Sequence, residues 1–307
     1  MKKKYSVVIP VYNSERVVAT TVVKVREFFM VHALPFEIIL VNDGSPDGSW
    51  DVIAKLAVEY AEVMAISLLK NYGQHNANLC GFRAATGDYV ITMDDDLQNP
   101  PSEIEKLISM ANEDYDLVIG RFEQKRHSLF RRAGSLVVGW INRKAFDIES
   151  GFVLTNFRMI RRDVVDRVCL DTSASPYIPG LVLKFSGNRC NVLVKHQPRT
   201  EGSSNYTTRK ILRLVATILF NHSSIPLRYG AAFGFIVAIL SFFLGLYYLV
   251  NALTNTGSTP GWSTLVVLIS LFNGILIMLL SVIGEYLVRI LREQSSGKSY
   301  VVSKIVE

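Results

Sequence analysis

Five short apolar runs, each followed by a helix-length amphipathic stretch or a turn, constrain this chain more than any other feature. "YSVVIPVY" (Tyr5–Tyr12), "FEIILVND" (Phe36–Asp43), "VMAISLL" (Val63–Leu69), "DYVITMD" (Asp88–Asp94) and "YDLVIG" (Tyr115–Gly120) are nearly continuous in Val, Ile and Leu rather than alternating with polar residues. Strands of that kind are buried on both faces, which is the signature of a mostly parallel sheet with helices on either side. The intervening segments predict helices over 15–31, 47–62, 74–85 and 101–112, the second capped by Ser45 or Asp47. In open α/β sheets ligands sit beyond the carboxyl ends of the strands. That rule gathers Tyr12, Asn13, Asp43 and the triplet Asp94–Asp95–Asp96 on one rim.

The last third reads differently. Residues 229–250 ("YGAAFGFIVAILSFFLGLYYLV") hold no charge, and residues 264–287 hold only Glu285 near their end. Each is long enough to cross a hydrocarbon core, in a chain that is 49% hydrophobic with mean hydropathy +0.25. The linker "NALTNTGSTPGW" lacks Lys and Arg, whereas Arg209, Lys210, Arg213 and Arg228 precede the pair and Arg289, Arg292 and Lys298 follow it. By the positive-inside rule both termini face the cytoplasm. Before the hairpin, 206–228 has apolar residues at helical spacing with a basic side, the pattern of a helix lying on the inner leaflet; a plain connecting helix fits the same pattern. The expected organisation is a catalytic domain over 1–205, a juxtamembrane helix over 206–228, two spans over 229–288 and a tail over 289–307. The tail's "KSYVVSKIVE" alternates like a strand that pairs with a sheet edge, in its own chain or a neighbour's.

Other classes fall away. "MKKK" is basic, but no signal-peptide-like apolar region follows it. Cys80, Cys169 and Cys190 are odd in number and lack metal-ligand spacing, so neither a disulfide framework nor a zinc site is expected. The net charge of +6 suits anionic lipid; no nucleic-acid motif accompanies it, so no nucleic-acid partner is expected.

The triplet carries the chemistry. Asp94 and Asp96, with Gln98 in the same phase if the chain stays extended, present hard oxygen donors suited to Mg²⁺ or Mn²⁺ completed by waters and substrate phosphates. An EF-hand is a poor alternative, because the glycine at its sixth position and the closing glutamate are missing. Taken alone, a D-x-D also fits a solvated acidic turn.

Four motifs in register decide between them. "VVIPVYNSE" (Val7–Glu15), "VNDGSPDGS" (Val41–Ser49), "NYGQHNANLCGF" (Asn71–Phe82) and "MDDDLQNPP" (Met93–Pro101), followed by "GEYLVRI" (Gly284–Ile290), resemble the family 2 glycosyltransferases of GT-A fold. More narrowly they resemble the polyprenyl-phosphate sugar transferases. The resemblance implies a Rossmann-like GT-A domain carrying a membrane hairpin in the bacterial inner membrane. It also implies a nucleotide-sugar donor, a polyprenyl phosphate acceptor and a homo-oligomer, expected as a tetramer.

The resemblance further implies roles. Pro10, Tyr12, Glu15, Asp43, Asp94 and Asp95 would hold the donor nucleotide, while Asp94, Asp96 and Gln98 would hold the metal. Arg121, Arg131, Ser135 and Arg199 would bind the acceptor phosphate, with Asp96, Arg131 and Ser135 at the catalytic centre. Arg is a forked donor suited to phosphate, though "QKRHSLFRR" also reads as an exposed basic loop. Tyr12 offers a stacking face or a packing one, and Asp43 sits in turn-rich "DGSPDG". Three positions depart from the family pattern: Asn42 precedes Asp43, Asn205 stands for a usual Lys, and Asn156 stands where some relatives have an Asp proposed as base. Asn takes no proton. A polyprenyl phosphate is already anionic, so the expected reaction is single displacement with inversion, needing stabilisation of the leaving diphosphate rather than a base. His75 is read as positioning or packing. The rival readings are a processive polysaccharide synthase, against which the missing Q-x-x-R-W box and further spans argue, and a non-catalytic membrane adaptor.

Overall fold

A computed structural model of the chain describes residues 2–111, 113–122, 151–173, 176–195, 197 and 299–307, with scattered positions between 236 and 290. The chain divides into two compact units. The first comprises Met1–Leu136, Phe146–Tyr206 and Ser296–Glu307; the second comprises Val137–Ala145 and Thr207–Ser295.

The first unit is built on one eight-stranded sheet. Its strands are β1 (Tyr5–Val11), β2 (Phe36–Asn42), β3 (Val63–Leu68), β4 (Tyr89–Thr92), β5 (Leu117–Phe122), β6 (Arg158–Arg161), β7 (Arg189–Val194) and β8 (Val302–Val306), in spatial order β7-β5-β6-β4-β1-β2-β3-β8. β1 pairs in parallel with both β2 and β4, β2 with β3, and β5 with β7; β6 runs antiparallel to β4 and β5, and β8 antiparallel to β3. Six strands therefore point one way and β6 and β8 the other. The mostly parallel α/β sheet expected from the apolar runs is present, as the resemblance to the GT-A fold implies. β5 does not lie beside β4, because the short antiparallel β6 is inserted between them.

Alternation within each run feeds two cores. Val7, Ile9, Val11, Ile38 and Leu40 pack with the helices α1 (Val18–Val31), α2 (Ser49–Glu59) and α4 (Ile104–Ala111) on one face. Val8, Ile39 and Val41 pack with α3 (Gln74–Ala84), α5 (Arg162–Cys169) and α6 (Ile178–Phe185) on the other. Each fully buried Val, Leu or Ile contributes roughly 1.5–3 kcal/mol, so the sheet is held from both sides. α3 lies close enough to β1 that a Cβ on Gly81 would stand 2.3 Å from Val8 Cγ1.

α3 begins at Gln74 as the pattern predicts, and the other three predicted helices begin later. α1 starts at Val18 rather than Glu15, α2 at Ser49 rather than Asp47, and a 3₁₀ turn at Pro101–Glu103 precedes α4. At α2 neither Ser45 nor Asp47 occupies the cap position, which is Gly48; Asp47 Oδ1 nevertheless accepts from the Ser49 N–H at 3.1 Å.

The C-terminal tail returns to this unit. Leu69 N–H donates to the Val301 carbonyl at 2.9 Å, Ser303 Oγ donates to the Ser67 carbonyl at 3.0 Å, and Tyr300 is buried against the α3 core. Arg83 anchors it, donating to the Tyr300 hydroxyl at 3.2 Å.

Among the described residues no helix is long and apolar enough to cross a membrane. The expected spans over 229–288 lie largely outside the described residues, and the juxtamembrane segment 206–228 wholly so.

Candidate active site

The sheet order defines a crevice. From β1 the chain steps to β2 and β3 on one side, then crosses to β4 on the other. The β1/β4 boundary is thus the switch point at which doubly wound sheets bind ligands. Pro10 opens it. Val8 accepts from the Met93 N–H and Val11 from the Asp43 N–H, so by alternation residue 10 faces β4. Proline has no N–H to extend that ladder, and the register with β4 stops at Val8↔Thr92. Pro10 itself is buried in the strand, so its contribution to a ligand site is the shape of the crevice rather than contact at the rim.

The β1–α1 loop that follows is stitched to the β2–α2 loop. Asn13 is left-handed, at φ 56°. Its N–H donates to Ser45 Oγ at 3.2 Å, and the next N–H, of Ser14, donates to Ser49 Oγ at 2.9 Å. Glu15 Oε2 accepts from the Gly48 N–H at 3.1 Å. Glu15, expected at the nucleotide, thus also braces α2. Tyr12 remains 47% exposed on the rim, its ring available for stacking.

Asp43 is buried, and both its oxygens already hold a loop. Oδ1 accepts from the Tyr72 N–H at 2.7 Å and Oδ2 from the Gly73 N–H at 2.9 Å. Burial pushes its pKa up, partly offset by these bonds. The departure at Asn42 has a local role: Nδ2 donates to Ser67 Oγ at 3.0 Å and Oδ1 accepts from the Ser45 N–H at 3.2 Å.

Across the crevice the acidic triplet does not stay extended. The chain turns at Asp95–Asp96 and Leu97 adopts φ 58°, so strand alternation does not set where the carboxylates after Asp94, or Gln98, face. Asp94 is clamped, its Oδ1 accepting from Gln74 Nε2 and Asn156 Nδ2, each at 2.8 Å. Asp95 turns toward the β1–α1 loop, where Ser14 and the Tyr12 N–H bond its carboxylate and Thr21 Oγ1 donates to its carbonyl at 2.7 Å. Asp95 Oδ2 is buried with no hydrogen-bond partner among the described residues. Burial, assisted by Asp94 and Asp96, pushes Asp95 up to about 6. Asp94 is raised too, first by burial and then by repulsion from Asp96, against the lowering pull of Asn156 and Gln74. Asp96 Oδ1 accepts from the Gln98 N–H at 3.1 Å.

Among the described residues no three His, Cys, Asp or Glu side chains form a metal cage. Two repelling carboxylates with an amide nearby do fit a hard divalent cation of the Mg²⁺ or Mn²⁺ type, which takes one or two protein carboxylates and completes its shell with water and phosphate. Asp95 Oδ2, orphaned among the described residues, lies in the field of Asp94 and Asp96, and a cation held by those two would offset the negative charge around it.

Arg121 is exposed at the carboxyl end of β5, on the same rim but separated from β4 by β6. Arg131, Ser135, Arg199 and Asn205 lie outside the described residues. His75 packs edge-on to Tyr177, with ring centroids 5.3 Å apart.

Sequence reasoning missed the layer beneath Asp94. Gln74, at the start of α3, and Asn78, one turn later, reach Asp94 and Asn156 respectively. Arg158, only 1% exposed, lies in β6 under the same residues. A polar side chain inside an otherwise buried helix face ("ANLCGF") and a guanidinium within a strand ("RMIR") were the available signals.

The family model described as Glycosyl transferase family 2 matches residues 6–169. The undecaprenyl-phosphate 4-deoxy-4-formamido-L-arabinose transferase of Yersinia enterocolitica serotype O:8 is 32% identical over 310 residues, covering 99% of this chain and 94% of that protein. The protein of the same name from Proteus mirabilis is 33% identical over 306 residues, with the same coverage. Among solved structures, glucosyl-3-phosphoglycerate synthase from Mycobacterium tuberculosis in complex with phosphoglyceric acid aligns with TM-score 0.54 at 19% identity, over 72% of this chain and 80% of that one. Its complex with Mn²⁺, uridine diphosphate and phosphoglyceric acid aligns with TM-score 0.54 at 18% identity, over 71% and 76%; both likenesses concern the fold. A crevice opened by Pro10, an acidic turn at its far wall and a family match across more than half the chain lead to one conclusion: this protein belongs to the family 2 glycosyltransferases and is a glycosyltransferase.

Proposed function

We propose that the chain moves a sugar from a uridine-diphosphate-linked donor to undecaprenyl phosphate at the cytoplasmic leaflet of the bacterial inner membrane, with inversion at the anomeric carbon. The observation that carries the reading is the placement of Asp94, Asp95 and Asp96 across the switch point from Tyr12. There a base can stack on the ring while the diphosphate lies over the acidic turn. Likeness over nearly the full chain to transferases named for undecaprenyl phosphate supports the acceptor. The neighbour crystallised with Mn²⁺ and uridine diphosphate supports the donor and the ion class.

Asp94, Asp96 and Gln98 would hold Mg²⁺ or Mn²⁺, which supplies Lewis-acid stabilisation of the departing diphosphate. The chain's own residues do the positioning. Gln74 and Asn156 fix the Asp94 carboxylate, Asp43 fixes the 72–73 loop that presents Gln74, and Asp95 ties the acidic turn to the β1–α1 loop. Arg121, with Arg131, Ser135 and Arg199, receives the acceptor phosphate. The phosphate oxygen attacks as an anion, so the amide at position 156 is compatible with turnover.

The membrane hairpin is part of the same reading. Leu265, Ile269, Phe272, Leu276, Leu280, Ile283, Leu287 and Ile290 are helical, and their side chains are exposed at spacings of three and four. An exposed apolar stripe of that length suits lipid rather than water. With 229–250 as its companion it would form the two-span anchor, both ends cytoplasmic, in a homo-tetramer. The test is a screen of UDP-sugars against short-chain polyprenyl phosphate with the purified full chain, with Mn²⁺, with Mg²⁺ and with chelator. Transfer that needs the cation and gives an inverted linkage is expected; cation-independent transfer or retention overturns the mechanism.

A further inference from the structure

Asn156 stands at the centre of a half-buried polar relay whose two ends carry opposite charge. On one side its Oδ1 accepts from Asn78 Nδ2 at 3.1 Å and from an Arg158 terminal nitrogen at 3.3 Å. On the other its Nδ2 donates to Asp94 Oδ1 at 2.8 Å. These partners fix the amide's orientation, because a flipped Asn156 would turn its NH₂ on the guanidinium and its oxygen on the carboxylate. Arg158 is held in turn. Its Nε donates to Thr92 Oγ1 at 3.2 Å, and the Thr92 hydroxyl donates to the Asn156 carbonyl. Burial lowers Arg158 to about 10, leaving it charged at neutral pH, and Asp94 acts on it favourably across the amide.

The relay is not fully satisfied: Asn78 Oδ1 and the second terminal nitrogen of Arg158 have no hydrogen-bond partner among the described residues, so the bonds that these two side chains make to Asn156 are ones they can ill lose. Position 156 needs an acceptor toward Asn78 and Arg158 and a donor toward a carboxylate, all at one side-chain length. Asparagine meets that demand. Aspartate would meet the first part and set a second anion 2.8 Å from Asp94 Oδ1; alanine would meet neither.

We propose that Asn156 is a positioning residue, which transmits the fixed charge of Arg158 to Asp94 and holds that carboxylate in the orientation from which it would bind the divalent cation. The inference rests on the reading of the crevice as a cation–nucleotide site. It replaces the idea of a base lost at this position with that of an amide required there.

The test titrates Mn²⁺ into the full chain in the presence of UDP and follows melting temperature with and without the ion, for wild type, Asn156→Ala and Asn156→Asp. Losing a hydrogen bond to a charged group predicts Mn²⁺ binding about tenfold weaker in Asn156→Ala, with metal-free affinity for UDP unchanged. Asn156→Asp keeps the partner of Arg158, so it guards against a variant that merely unfolds. It places two carboxylates in contact and predicts a lower metal-free melting temperature and a larger Mn²⁺-induced rise than wild type. These opposite responses to one ion are not expected of a residue that only packs. Wild-type-like Mn²⁺ affinity in Asn156→Ala, or an unchanged Mn²⁺-induced rise in Asn156→Asp, overturns the inference while leaving the site reading intact. A wild-type chain that binds neither Mn²⁺ nor UDP overturns both.

Discussion

Asp95→Asn separates the electrostatics of the acidic turn from its packing. In the metal-free protein the Asp95 carboxyl is raised to about 6 by burial and by its two acidic neighbours, against about 3.9 in an unfolded chain. A raised acid stabilises the fold fully below its unfolded value and loses that contribution as pH climbs through its folded one. Wild type should therefore lose stability through this residue between about pH 4 and pH 7, by about 3 kcal/mol at most. Asparagine does not titrate, so the variant escapes that loss. Its NH₂ takes the place of the orphaned Oδ2, which sets a pH-independent offset of either sign. Asp43 and Asp94 are also raised, but they titrate in both proteins and largely cancel in the difference. The quantity to measure is the melting temperature of Asp95→Asn minus that of wild type, in chelator, from pH 4.5 to 7.5. About 2 kcal/mol of that loss falls within this window, and at about 2–4 °C per kcal/mol for a domain of this size the difference should rise by roughly 4–8 °C across it. It should rise less with Mn²⁺ and UDP present, because the cation offsets the crowding of anions. A difference flat with pH would refute the claim that Asp95 is strained by charge.

Three further outcomes follow from named contacts. Asp96→Ala should abolish transfer to polyprenyl phosphate while the melting curve stays within a few degrees of wild type; retained activity would remove the acidic turn from the chemistry. Gly44→Ala should destabilise by about 2 kcal/mol or more, since Gly44 sits at φ 63° and a Cβ there would lie 2.4 Å from the Lys70 carbonyl carbon, and calorimetry or urea melts of the full chain would show it. Tyr300→Ala should cost about 3 kcal/mol by emptying a site in the α3 core and orphaning Arg83, whereas Tyr300→Phe should cost about 1 kcal/mol; equal effects would mean that the hydroxyl contact dominates.

The parallel strands were legible because burial on both faces leaves an unbroken apolar run, and β1 to β4 show one each. Strand order was not, because β6 is four residues long and its "RMIR" carries two arginines, one buried and one half-buried at the strand's end. No local pattern distinguishes that from a turn. The rim was legible through strand ends, yet what its residues do was not. Asp43 reads as a carboxylate free for a ligand, and it is instead occupied by two backbone N–H groups from a loop 29 and 30 residues away. The triplet reads as an alternating strand end, but a left-handed Leu97 turns it.

The same distinction explains why the site tolerates its departures from the family pattern. Asn42 and Asn156 both stand where an acid would be unexceptional, and each accepts on its oxygen and donates from its nitrogen: Asn42 between Ser45 and Ser67, Asn156 between Arg158 and Asp94. Each amide does what a carboxylate cannot, because it offers both polarities to a buried partner set. An acid at either position would add charge to a crevice where Asp94 and Asp95 are already raised by burial and neighbours. The crevice thus concentrates its negative charge in one turn opposite Tyr12 and surrounds that turn with neutral donors from Gln74, Asn156, Ser14 and the Tyr12 N–H. On the proposed function, a divalent cation and a diphosphate entering together would bring opposite charges to that turn, and the donors around it would not need to reorganise to receive them.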